Sequence, residues 1–138
     1  MATPTTGSHR TVLIIDDQPF FINMQQTILK QQGYQVLSST SGPEGLKLAK
    51  KHKPDLILLD IEMPGMDGFA VCQQLKQDEE LRQIPVIILT GTQDLKLNEK
   101  AFKAGADVTV LKSISGERLI NMVRITLERG KSPSPAGA

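Results

Sequence analysis

Five short apolar runs punctuate the chain, and each gives way to a polar stretch with helical spacing. The runs are Thr11-Val12-Leu13-Ile14-Ile15, Gln35-Val36-Leu37-Ser38, Leu56-Ile57-Leu58-Leu59-Asp60, Val86-Ile87-Ile88-Leu89-Thr90 and Val108-Thr109-Val110-Leu111. Unbroken apolar residues between turn formers suit strands buried on both faces, as in a parallel sheet. Gln18-Pro19 opens the first helix, with Pro in its first turn. Phe21, Met24 and Ile28 then share one face, and Gly33 sits where helices stop. Ser41, with Glu44 three residues on, starts a second helix, which turns Leu46 and Ala49 inward and ends at Pro54. Its Lys47, Lys50 and Lys51 face outward. Asp67 can cap a third helix carrying Phe69, Cys72 and Leu75, and Gln77-Asp78-Glu79-Glu80 reads as a solvated polar run. A fourth helix runs from about Leu97 to Ala104 and stops at Gly105. The last places Leu119, Met122, Val123 and Leu127 on one stripe. Five βα units predict an α/β domain, a doubly wound parallel five-stranded sheet with right-handed crossovers and helices on both faces.

A length of 138 residues suits one such domain. It is expected over residues 11–129, between a polar lead (1–10) and a Ser/Pro-rich tail or linker (130–138). The formal net charge of +1 provides no field to draw in nucleic acid or an anionic membrane. No apolar run approaches the roughly 20 residues of a membrane span, and the N-terminus lacks the apolar stretch of a signal peptide. The single Cys72 is expected to be a small buried residue, and cysteine usage fits a reducing cytoplasm. No Gly-rich ATP loop is present, so the chain is not expected to be its own kinase. His9 and His52 read as surface residues.

The polar residues at the strand ends carry the chemistry. Asp16 and Asp17 follow the first strand, Asp60 ends the third, Thr90 ends the fourth, and Lys112 follows the fifth. In the sheet order 2-1-3-4-5 the first and third strands are neighbours at the switch point, where such sheets build their sites. Three carboxylates brought together there repel one another, and would take up protons or recruit a divalent cation. All-oxygen ligands suit Mg²⁺, and the backbone carbonyl of Glu62 could add one more. With Thr90 and Lys112 opposite, Asp60 becomes a candidate nucleophile that would carry an acyl phosphate. Taken singly, Asp17 would be a helix cap, Lys112 a solvent-facing lysine and Thr90 a strand former. Their convergence on one sheet edge favours a shared site.

Two alternatives fit less well. A calcium loop starting at Asp60 would put Pro64 and Val71 where ligands belong. An aspartate-nucleophile phosphatase would need Asp-x-Asp after the first strand, where this chain has Asp16-Asp17-Gln18.

From about Arg10 to Arg129 the chain resembles the receiver domains of bacterial two-component response regulators, including the chemotaxis response regulator. The resemblance rests on Ile15-Asp16-Asp17, Leu59-Asp60-Ile61-Glu62-Met63-Pro64-Gly65-Met66-Asp67-Gly68, Leu89-Thr90-Gly91 and Leu111-Lys112. It implies a flavodoxin-like fold in which Asp60 accepts a phosphoryl group from a phosphohistidine on a sensor histidine kinase or phosphotransfer protein. Asp17, Asp60 and the Glu62 carbonyl would hold Mg²⁺, with Asp16 acting through water. Thr90 would follow the phosphoryl group and Lys112 would pair with it. A downstream output protein or domain would read the change, and no turnover enzyme is implied. Glu62 and Thr92, flanking the site, would tune the lifetime of the phosphate. The chain departs from the family pattern at Thr109, where an aromatic residue is usual, and at Ser113, where Pro is usual. Any switch is therefore expected to run through the loop after Thr90 and the fourth helix. A receiver-like module that works without phosphorylation is the alternative reading.

Overall fold

The computed structural model describes residues 10–63, 67–91 and 94–131. Strands and helices alternate as β1 (Thr11–Ile15), α1 (Pro19–Gln31), β2 (Gln35–Ser39), α2 (Gly42–His52), β3 (Leu56–Asp60), α3 (Gly68–Gln77), β4 (Val86–Thr90), α4 (Leu95–Ala104), β5 (Val108–Leu111) and α5 (Gly116–Lys131). Every strand pair is parallel, and the order across the sheet is β2-β1-β3-β4-β5. This is the doubly wound, flavodoxin-like sheet that the apolar runs predict. At its far end α5 continues through Gly130 to Lys131, the first two residues that composition assigns to the tail.

The apolar runs are unbroken because each strand feeds two cores. Leu13, Ile15, Ile57, Leu59, Val86 and Ile88 pack on Ala49, Val71, Cys72, Leu75 and Ala101 of α2, α3 and α4. The alternate residues Val12, Ile14, Leu56, Leu58, Ile87 and Leu89 pack on α1 and α5 through Ile22, Leu29, Leu119, Val123 and Leu127. With a side-chain period of two, neither face can be spared for polar residues.

The inward face of α1 differs from the expected one by a single position. Ile22, Gln25 and Leu29 are buried, whereas Phe21 and Ile28 are half-buried and Met24 is exposed. Two stripes with the same helical spacing overlap there, and Gln25 makes the true one look polar. Its side chain is buried, and its Oε1 has no partner among the described residues.

Helix ends follow the local chemistry. The Ser41 hydroxyl accepts from the Glu44 N–H at 3.3 Å, and Asp67 Oδ1 accepts from the Phe69 N–H at 2.9 Å. Asp94 caps α4 in the same way through the Lys96 N–H, so that helix begins at Leu95 rather than near Leu97. Gly33 and Gly105 take the positive φ that closes α1 and α4. The polar run after α3 is partly tied down: Asp78 accepts from the Glu80 N–H and pairs with Lys50 at 2.8 Å.

Gly68 fixes the path of the chain out of β3. A Cβ on it would lie 2.4 Å from Ile61 Cα and 2.7 Å from the Asp60 carbonyl oxygen. The first turn of α3 thus presses directly on the backbone leaving β3, and only glycine permits that approach.

Cys72 is buried without exposure, as expected, and burial pushes its thiol from 9.0 up to about 11. The folded state therefore keeps a proton that the unfolded chain releases. Between pH 9 and 11 the wild type should lose stability relative to Cys72→Ala as pH rises, with a slope of up to about 1.4 kcal/mol per pH unit. Urea denaturation of both proteins across that range checks it.

Candidate functional site

Register brings the strand-end residues together. Ile15 lies opposite Leu59, so Asp16 follows β1 beside Asp60 at the end of β3. Thr90 pairs with Leu111, so Lys112 leaves β5 just beyond it, and its N–H donates to the Thr90 carbonyl at 2.8 Å. Asp16, Asp60 and Lys112 continue the alternation of Ile14, Leu58 and Val110, on the α1/α5 side of the sheet. Thr90 continues that of Ile88, on the α4 side.

Three carboxylates converge as expected. One oxygen each from Asp16, Asp17 and Asp60 falls within 4.8 Å of the others. Asp16 and Asp60 are both only 1% exposed, which makes the charge costly to leave uncompensated. Each has one oxygen held by backbone: Asp16 Oδ1 accepts from the Gln18 N–H at 2.9 Å, and Asp60 Oδ1 from the Glu62 N–H at 3.0 Å. The remaining oxygens turn toward Lys112, whose Nζ lies 3.1 Å from Asp16 Oδ2 and 3.2 Å from Asp60 Oδ2. These are ion-pair distances without aligned hydrogen bonds, so Asp16 Oδ2, Asp60 Oδ2 and Asp17 Oδ1 keep unused lone pairs among the described residues.

The electrostatics reflect this crowding. Burial pushes the Asp16 carboxyl up, and the charge of Asp60 adds to it; the Gln18 N–H and Lys112 pull the other way without cancelling the rise. Burial alone would lower the Lys112 ammonium, but its close pairing with Asp16 and the charges of Asp60 and Asp16 outweigh that and raise it. One ammonium serves two of the three acids. The inward-facing acidic oxygens fit a hard divalent cation, which takes oxygen ligands and tolerates mixed protein and water shells.

Two contributors carry no clear signature in the sequence. Gln18 Oε1 accepts from Lys112 Nζ at 3.3 Å, and the Phe21 ring lies 4.3 Å from the same nitrogen. Helical spacing puts Phe21 on the core face of α1, and instead it packs against the ammonium. The one available signal is its place one turn into the helix after the acidic pair. Thr90 is buried at the end of β4. It also reaches a groove of about 520 Å³ bordered by Asn98, Thr109, Ser113, Ser115 and Arg118. Asp67 is the expected cap, and His52 is exposed. Pro64, Gly65 and Met66 of the loop signature, with Thr92 and His9, lie outside the described residues.

Residues 12–124 match the family model for the response regulator receiver domain. The chain belongs to that family. The polar-differentiation response regulator DivK of Brucella ovis is 36% identical over 115 residues, covering 83% of this chain and 94% of DivK. The DNA-binding dual master transcriptional regulator RpaA of Synechocystis is 38% identical over 118 residues, covering 86% of this chain. The receiver spans about half of RpaA, 49% of its length. Among solved structures, the signal receiver domain of a histidine kinase from Syntrophus aciditrophicus superposes with a TM-score of 0.82 at 32% identity, covering 94% of this chain and 98% of that one. A CheY-like receiver domain protein from Methanospirillum hungatei has the same fold, with a TM-score of 0.84 at 24% identity over 89% of this chain and 97% of that one.

This is therefore a receiver domain of two-component response regulators, a class of phosphoacceptors rather than turnover enzymes. Receivers generally bind Mg²⁺ in an acidic pocket, and the Asp16–Asp17–Asp60 cluster could hold such an ion. Among the described residues no helix is long and apolar enough to cross a membrane. The receiver's acidic cluster carries a direct expectation. Without Mg²⁺, Asp16→Asn should melt higher than wild type, by a few degrees, because it removes a buried like charge. It should also shrink the rise in Tm expected of wild type on adding Mg²⁺. Thermal melts with and without the ion measure both.

Proposed function

We propose that Asp60 is the phosphoacceptor of this receiver, and that it is loaded from a sensor histidine kinase or a phosphotransfer protein. The observation that carries this is the arrangement around Lys112: an ammonium shared by Asp16 and Asp60, beside acidic oxygens with lone pairs to spare. Asp60 Oδ1 is tied to the Glu62 N–H, which leaves Oδ2 as the attacking atom. Attack forms the acyl phosphate and breaks the phosphorus bond to the donor. Lys112 then pairs with a phosphoryl oxygen, and Thr90 donates its hydroxyl to another. Asp16, Asp17, Asp60 and the backbone carbonyl of Glu62 would hold Mg²⁺, which when bound offsets charge on the phosphoryl oxygens. Self-catalysed phosphorylation from phosphohistidine and autodephosphorylation belong to the same reading. So do a cytoplasmic setting, a functional unit at residues 11–129 with flanking segments 1–10 and 130–138, and no direct contact with nucleic acid or membrane.

The output is read by a partner protein or domain. The groove beside Thr90 supports a surface for it, since Leu95 and Phe102 of α4 are 85% and 81% exposed on the same helix as Asn98. Thr109 lines that groove in place of an aromatic residue, so a change at Thr90 would pass to α4 without an aromatic side chain. The alternative, a binding module that works unphosphorylated, is favoured only by Thr109 and Ser113.

Intact mass after incubation with acetyl phosphate decides between them. Wild type should gain one phosphoryl group only when Mg²⁺ is present, and Asp60→Asn none; no gain in wild type leaves the binding module. The route to the surface has its own check. Adding beryllofluoride should shift the NMR signals of residues 91–104, and unchanged signals there would refute that route.

A further inference from the structure

At the end of the sheet away from the acidic cluster, a cavity of about 370 Å³ opens between the close of α1, the start of β2 and one face of α5. Helix α1 separates the two places. It starts beside Lys112 at Gln18 and Phe21, and reaches this cavity at Gln32, about 20 Å further on.

Sheet register and helix spacing build the walls. Thr11 lies opposite Gln35, so Arg10 and Tyr34 stand side by side as β1 and β2 begin. The Gln35 N–H donates to the Arg10 carbonyl at 2.9 Å and holds that edge. Ile120, Arg124, Leu127 and Glu128 recur at helical spacing along one face of α5. Leu127 is buried and Tyr34 packs half-buried on the same core, so the floor is apolar. Two guanidiniums and a phenol thus border one cavity. Among the described residues neither guanidinium has an ion pair, and Arg124 Nη2 donates to the neutral Asn121 Oδ1 at 2.8 Å. Burial pushes the Tyr34 hydroxyl up, and Glu128 adds to that, against the pull of Arg10 and Arg124. The hydroxyl keeps its proton and remains a donor.

We propose that this cavity binds a small organic phosphate, a phosphate monoester of sugar size. A guanidinium offers phosphate a fork of donors, and two of them balance the nearly double charge of a monoester at neutral pH. A carboxylate would leave one guanidinium uncompensated. Bare phosphate would leave the apolar floor uncovered and bring no donor to Glu128. An esterified sugar supplies both: its carbon skeleton covers Leu127 and Tyr34, and its hydroxyls donate to Glu128. The volume falls at the low end of the roughly 300–1,000 Å³ typical of small-molecule sites. The proposal does not depend on Asp60, which lies at the opposite edge of the sheet.

The test titrates isotope-labelled protein, without Mg²⁺, with glucose 6-phosphate, inorganic phosphate and glucose, and follows the NMR signals. Those of Arg10, Tyr34 and Arg124 should shift and saturate with a Kd below about 1 mM for glucose 6-phosphate. Inorganic phosphate should bind about tenfold more weakly for want of the apolar contact, and glucose should move nothing. Arg10→Gln and Arg124→Gln should each weaken binding about tenfold, the loss of one charge-assisted contact. Arg124→Lys keeps the charge without the fork and should fall between. Arg124 is exposed, so its replacement leaves the core intact. Asp60→Asn should bind as wild type does. No saturable shift, equal affinity for inorganic phosphate, unchanged affinity in both glutamine variants, or loss of binding in Asp60→Asn would overturn the site.

Discussion

The arrangement depends on one lysine holding two buried carboxylates together. Two like charges about 4 Å apart repel by about 4 kcal/mol at an effective dielectric of about 20. The Lys112 ammonium sits 3.1 and 3.2 Å from Asp16 and Asp60 and offsets much of that. The remaining control is backbone: the Gln18 and Glu62 N–H groups fix one oxygen on each acid. Those amides are placed by the chain's exit from β1 and β3, and β3's exit is held by the bare Gly68 of α3. A site of this charge density stands because two cores grip the strands from both sides.

Much of this is legible without coordinates, and the reason is specific. Strands buried on both faces must be wholly apolar, so Asp16, Asp60, Thr90 and Lys112 mark where the runs stop, and a parallel sheet puts all the stops on one edge. Caps such as Ser41 and Asp67 are equally local, needing only a hydroxyl or carboxylate two or three residues from an N–H. What is not legible is rotation within a helix. Phe21 and Ile22 are adjacent and both apolar, and only the packing of α1 on α5 decides which one enters the core. For the same reason no local pattern places Phe21 and Gln18 at Lys112, because their roles arise from contacts across 91 and 94 residues of chain. The hydrogen bond from the Gly91 N–H to Glu62 Oε1 spans 29 residues and obeys no spacing rule.

The acidic cluster also runs against stability. Asp16, Asp17 and Asp60 each keep an unsatisfied oxygen among the described residues, and buried polar atoms in that state are destabilising. Strain of this sort is held at functional sites by surroundings that over-determine the geometry. Here the surroundings are the sheet ends themselves, which cannot relax without breaking strand register.

The alternation along the strands has one more consequence. Asp16, Asp60 and Lys112 continue the series that faces α1 and α5, whereas Thr90 continues the series that faces α4, on the side of Thr109. Under the proposed function, acquisition and readout would occupy opposite sides of a single layer of backbone. Substitutions can accumulate on α4 and β5 and recruit new listeners while the acidic edge stays as it is. Thr109 lies on the side that would read the signal, while the charged residues Asp16, Asp60 and Lys112 lie on the side that would receive it.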